Sequence, residues 1–167
     1  MEKALAVANA FIERGVAHKN PPTQMKLQKL MYFAHGWHLA LYDTPLVDQP
    51  FYAWQYGPVI PSVYHEFKMF GTLGIDRMGL EYVGTEKGVL WFSPQIEPEK
   101  AIENALIDRI WEVYGIYSGT QLSKITHLDD SPWKKVRDEN LGVRDIIIPD
   151  DLIRDYFKEI RRQHHAQ

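Results

Sequence analysis

The chain has no cysteine. That absence excludes a disulfide framework and a thiolate zinc site, and it points to a reducing compartment. An excess of positive charge is missing as well. Nineteen basic residues face 22 acidic ones, for a net charge of −3, so no polyanionic partner is implied. No apolar run reaches the roughly 18 residues of a membrane-spanning segment, because Lys29, His35 and His38 interrupt the best candidate. The opening stretch, MEKALAVANAFIERG, lacks the basic start and small-residue cleavage site of a signal peptide. The chain is therefore expected to be cytoplasmic, without a membrane partner. Repeats, low-complexity tracts and linkers are absent too.

What is present fits one soluble domain. With 167 residues, 45% of them hydrophobic and 25% charged, the chain is long enough to bury a real core. A single domain is expected over 1–163, followed by a frayed tail at 164–167. Charge is uneven: residues 1–42 carry five basic and two acidic side chains, whereas 81–128 carry four and seven.

The most informative stretch is KLQKLMYFAHGWHLALY, residues 26–42. Leu27, Leu30, Met31, Ala34, Trp37, His38 and Leu41 form one stripe at helical spacing. Tyr32, Phe33, Leu39 and Tyr42 cover much of the opposite side. A helix apolar nearly all round belongs inside a bundle, so 24–42 is expected as a buried central helix with Thr23 as its N-cap. Gly36 within it costs about 1 kcal/mol relative to Ala, and close approach of another backbone is the usual compensation.

Around this helix the spacing predicts a helix over 3–14 closed by Gly15, and an irregular extended segment over Leu46–Tyr56. A helix from Pro61 to Phe70 closed by Gly71 and a small antiparallel hairpin over about 80–92 follow. Pro98 is expected to open a further helix burying Ala101, Ile102, Ala105, Leu106, Ile110, Val113 and Tyr114. A short helix near Thr120–His127, an N-cap and first-turn proline at Ser131–Pro132, and a last helix from Pro149–Asp150 complete a mainly helical fold.

Few constellations carry chemistry. His35 and His38 have HxxH spacing, but nothing in the pattern supplies a third ligand, so hydrogen-bonded structural histidines are expected. Ser118, Ser123, His127 and Asp129 include triad residue types without a strained nucleophile turn. Ser123 and His127 read more simply as a helix-end hydrogen bond. GTLG and GTEKG lack phosphate-loop spacing. Lys134, Lys135 and Arg137 are offset by Asp129, Asp130, Asp138 and Glu139, which makes nucleic acid an unfavoured partner. Neither a metal nor another cofactor is expected, and the residues favour a binding module over an enzyme.

Four blocks, KLQKLMYFAHGWHLAL (26–41), FYAWQYGPVIPSVYHEFKMFG (51–71), LSKITHLDDSPWKKVR (122–137) and IPDDLIRDYF (148–157), resemble the Panacea domain family in order and spacing. That family includes SocA-like antitoxins and phage-associated GepA-like proteins. The resemblance implies a mostly helical antitoxin, not an enzyme, that binds its cognate toxin directly. It further implies a toxin encoded by the adjacent gene, and a role as adaptor to a AAA+ protease. The extra DNA-binding domain of some relatives is not expected here. The family's marked residues fall on Lys29, Tyr32, His35, Trp37, Trp54, Tyr56, Gly57, Pro58, Pro61 and Tyr64, with Thr126, His127, Ser131, Pro132 and Trp133 in the third block. Trp54 and Tyr56 either cap the central helix or anchor a partner. Trp91 and Phe92 on the hairpin are further candidate anchors. The alternatives are a small enzyme or ligand-binding domain using the His, Trp and Tyr cluster, and a nucleic-acid-binding regulator.

Overall fold

The computed structural model describes residues 1–165. Helix α2 (Gln24–Tyr42) is its axis, and nearly every residue up to Ala40 is buried. It touches α1 (Ala4–Ala17), α3 (Pro61–Phe67), α4 (Ala101–Tyr114), α5 (Gly119–Thr126) and α7 (Asp150–His165). Thr23 caps its start by accepting from the Lys26 N–H at 3.3 Å. Asp43, in the left-handed conformation, ends it and pairs with Lys158 of α7. The fold is mainly α, as the stripe of 24–42 requires. Residues 166 and 167 of the expected tail lie outside the described residues.

Polar side chains on so buried a helix must find partners. They do so by reaching out to the chain around them. Lys26 donates to Gly115 O, and His38 bonds Thr44 O. His35 bonds Asp150 Oδ1 at 3.0 Å and accepts from the Val47 N–H. The Gln28 amide takes both Ile60 N–H and Ile60 O. These bonds tie loops to the axis where apolar packing alone would leave carbonyls unsatisfied.

At Gly36 the close approach is made by a side chain of α7, not by another backbone or the 54–58 loop. A Cβ there would lie 2.2 Å from Phe157 Cε2 of α7, so the glycine admits an aromatic ring that no other residue could. Gly15 departs from its expected role. Helix α1 continues through it to Ala17, and a Cβ at Gly15 would meet Pro22 Cδ at 2.6 Å. It is a packing glycine rather than a stop.

The segment expected as irregular folds into a sheet. Strands β1 (Phe51–Trp54) and β2 (Gly57–Val59) form a tight antiparallel hairpin, and β5 (Ile147–Ile148) adds to the other side of β1 in the order β2-β1-β5. Pro58 is tolerated because β2 is an edge strand. Helix α4 begins at Ala101, not Pro98: Pro98 is the second residue of a turn in which Lys100 N–H donates to Glu97 O. Its buried face is Leu106, Ile107, Ile110 and Trp111, leaving the expected Ala101, Ile102, Ala105 and Val113 exposed. The second hairpin, β3 (Glu81–Thr85) with β4 (Gly88–Phe92), lies where the sequence places it. Its base is held by Asn9, whose buried amide bonds both Gly79 and Pro94.

Candidate functional site

The turn Ala53–Pro58 between β1 and β2 gathers most of the marked residues. Its outward carbonyls are taken one after another by side chains from elsewhere. Arg137 and Trp133 of α6 (Pro132–Glu139) donate to Ala53 O and Trp54 O at 3.4 and 2.7 Å. His127 reaches Gln55 O at 3.4 Å, and the Ser123 hydroxyl donates to Tyr56 O at 2.9 Å. The Lys29 ammonium donates to Pro58 O at 3.1 Å. The bonds to Ala53, Trp54, Tyr56 and Pro58 are buried or part-buried, where a carbonyl stripped of a donor costs about 1–3 kcal/mol, whereas the bond to Gln55 is exposed.

The clamp is itself braced. Thr126 Oγ1 donates to Ser123 O, Ser131 Oγ to Thr126 O, and the His127 ring lies 3.7 Å from that of Trp133. Gly57, at φ +107°, is forced by the same packing: a Cβ would fall 2.6 Å from Lys29 Cε. Pro132 occupies the first turn of α6, with Ser131 as its N-cap. Pro61 does the same at the start of α3. The Ser123 and His127 pair is a helix-end contact, since His127 Nδ1 bonds the Ser123 carbonyl while the hydroxyl serves Tyr56.

Three marked residues lie apart from the turn, in the core around α7. Tyr32 packs edge-on against Phe51 and Phe157, and its hydroxyl has no partner among the described residues. Burial raises its pKa well above the ordinary tyrosine value. The Trp37 indole donates to Tyr114 Oη at 3.2 Å, and His35 holds Asp150. His35 and His38 thus bond a carboxylate and a loop carbonyl. No group of three or more His, Cys, Asp or Glu among the described residues is placed to hold a metal ion.

The clamped turn borders an open cleft of about 1020 Å³. Trp54, Tyr56 and Tyr64 line it, with the first residues of α2 and α5 and the loop 142–145. Trp54 meets Tyr64 edge-on and donates to Asp145 Oδ1 at 3.1 Å, while Tyr56 is 63% exposed. Lys29 also lines the cleft although it is only 1% exposed, and burial lowers its pKa to about 7. Gln24, Arg137 and Arg144 share this cleft. Sequence reasoning weighed Arg137 only as part of a basic patch offset by acids and did not single out Gln24 or Arg144, because nothing in their local pattern distinguishes them from surface polar residues.

The hairpin β3–β4 places Trp91 and Phe92 away from the turn. The Trp91 ring lies tilted against that of Tyr82, 5.2 Å between centroids, and Lys3 sits over Phe92. Every residue of the two strands except Glu81 is exposed.

Comparison with known proteins agrees with this arrangement of blocks. The model of the family described as "Antitoxin SocA-like, Panacea domain" matches residues 27–134, from the central helix through the clamp. Antitoxin SocA of Caulobacter vibrioides (strain NA1000 / CB15N) is 33% identical over 158 residues, covering 93% of this chain and 82% of that protein. No solved structure matches. No helix among the described residues is long and apolar enough to cross a membrane. With the match running through both the α2 blocks and the residues that clamp the turn, the chain belongs to the SocA-like antitoxin family with a Panacea domain.

Proposed function

We propose that this chain is the cytoplasmic antitoxin of a toxin–antitoxin pair and neutralises its toxin by direct protein–protein contact, without catalysis of its own. The observation that carries this reading is the relationship to an antitoxin along 93% of the chain. The site residues support binding over catalysis: the Ser123 hydroxyl donates to Tyr56 O while His127 bonds Ser123 O and Gln55 O, so these two do not face each other as nucleophile and base.

The contact surface we assign is the hairpin β3–β4. Tyr82, Leu90 and Trp91 are 66%, 57% and 59% exposed, and Val83 and Val89 are exposed beside them. A two-stranded ribbon bare on both faces contributes little to the core and suits a partner that covers it. Lengths and turns there can change without disturbing α2, which fits a family scaffold meeting different toxins. The toxin is expected from the adjacent reading frame, and the bound complex is a form an AAA+ protease could be handed. Co-expression decides the matter. The adjacent frame should arrest growth alone and be relieved by this chain, with the two proteins co-purifying; relief without a stable complex would overturn direct binding.

A further inference from the structure

The cleft beside the clamped turn is chemically one-sided. Its charged lining residues are Lys29, Arg137 and Arg144 against the single acid Asp145, in a chain whose net charge is −3. Asp145 is occupied by the Trp54 indole. None of the three cations forms a salt bridge among the described residues. The cleft also receives the N-terminal residues of α2 and α5, whose dipoles favour negative charge.

Two buried groups are left incomplete at this place. Lys29 has three donor hydrogens and one carbonyl partner, Pro58 O. An apolar residue would fill the space more cheaply, because burying an amine beside no acid is costly. Gln24, 8% exposed, gives its N–H to Tyr64 O, but its Oε1 is buried without a donor. One guest that supplies an anion to Lys29 and an N–H to Gln24 would complete both. Phosphate could supply an anion and an O–H but offers nothing to the aromatic wall; a peptide segment with an acidic side chain or chain end brings a carboxylate, a backbone N–H and apolar parts that suit Trp54, Tyr56 and Tyr64.

We infer that this cleft receives an acidic segment of the bound toxin, its carboxylate meeting Lys29 and the two arginines while a backbone N–H answers Gln24 Oε1. The inference rests on the antitoxin reading and gives that reading a second contact besides the hairpin. The lowered pKa of Lys29 is in keeping with an amine that gains its counter-charge only on binding.

The test uses the full chain and the toxin whose growth arrest it relieves, with affinity measured by calorimetry at pH 7. Lys29→Met should weaken binding at least tenfold while its thermal midpoint is no lower than that of the wild type. A folded Lys29→Met chain that binds within twofold of wild type would overturn the inference and leave the antitoxin reading standing. If Lys29→Met does not fold, Arg144→Glu on the exposed rim decides by the same two thresholds. Succinate and inorganic phosphate are titrated into the free chain alongside. Lys29-dependent uptake of either, with toxin affinity unchanged by the substitution, would make this a small-anion site and likewise refute the proposal. A wild-type chain that binds no toxin sinks both readings together.

Discussion

The indole N–H of Trp133 donates to the carbonyl oxygen of Trp54 at 2.7 Å, joining positions 79 residues apart. Through this bond α6 fixes the turn between β1 and β2, and with it the rim of the cleft. Trp133 is buried, so its loss is not repaired by water. Trp133→Phe keeps an aromatic beside His127 but removes the indole donor to Trp54 O. The expected cost is about 1–3 kcal/mol, read as a lower urea midpoint at unchanged slope. An unchanged midpoint would mean the turn is held by the other four donors alone.

Trp54 separates two roles that its sequence context leaves open. Its ring borders the cleft while its carbonyl belongs to the clamp. Trp54→Ala removes the ring and spares the carbonyl. If the ring serves a partner, neutralisation falls while the melting temperature holds within a few degrees; if it serves packing against Tyr64, melting falls first.

Gly36→Ala tests the approach of α7 to the axis. Helix propensity alone favours the alanine by about 1 kcal/mol. The new Cβ, however, would lie 2.2 to 2.6 Å from three atoms of the Phe157 ring. Overpacking at about 1–3 kcal/mol should win, giving a net destabilisation by chemical denaturation. Adding Phe157→Leu should recover part of the loss, since touching sites do not add. A stabilised Gly36→Ala chain would contradict the packing described here.

Lys29 makes stability depend on pH in a stated direction. Its folded pKa is about 7, against 10.5 for the free side chain. Between those values the unfolded chain binds a proton that the folded chain lacks, so stability should rise with pH, by at most about 1.4 kcal/mol per unit from this one group. Below about pH 7 the penalty for the buried ammonium is fully present. Unfolding free energies at pH 6, 7.5 and 9 should therefore climb more steeply in wild type than in Lys29→Met. Parallel curves would show that Lys29 titrates as an ordinary surface lysine. Tyr156, raised to about 12 by burial first, acts the other way only above pH 10 and stays outside this window.

Trp91→Ala on the hairpin should leave folding within about 0.5 kcal/mol, as expected for an exposed position. If the hairpin is the toxin contact, affinity should fall by at least about thirtyfold, the scale of an interface anchor. Exchanging 72–97 for the matching segment of a relative should then move neutralisation toward the relative's toxin. Rescue of only the original toxin would shift attention to the 51–64 turn.

Much of this architecture is written in local pattern. The all-round apolar character of 26–42 placed α2 at the centre, because a helix without a polar face has nowhere else to go. Thr23, Ser131–Pro132 and Gly71 mark element ends through capping and turn chemistry that acts over a few residues. Alternation around GTEKG is enough for the β3–β4 hairpin. The block order from 26 to 157 carried the family. Where local signals misled, tertiary contact prevailed: Gly15 reads as a stop but yields to Pro22, and the stripe of α4 turned toward Ile107 and Trp111, where α1 and α2 leave room.

The carbonyl clamp was beyond any such reading. Ser123, His127, Trp133 and Arg137 carry no mark of what they bond, since their acceptors lie 67 to 84 residues away. β5 is two residues long and pairs across almost a hundred positions with β1, too short for any periodicity to register. Burial decided the rest. Lys29 reads as one more basic residue near the start of a helix, and only the packing of α2, β2 and α5 around it makes it a desolvated amine at the base of a cleft. Periodicity and capping are properties of neighbours along the chain; hydrogen-bond partners and desolvation are properties of neighbours in space, which this protein acquires only when α5 and α6 pack against the turn.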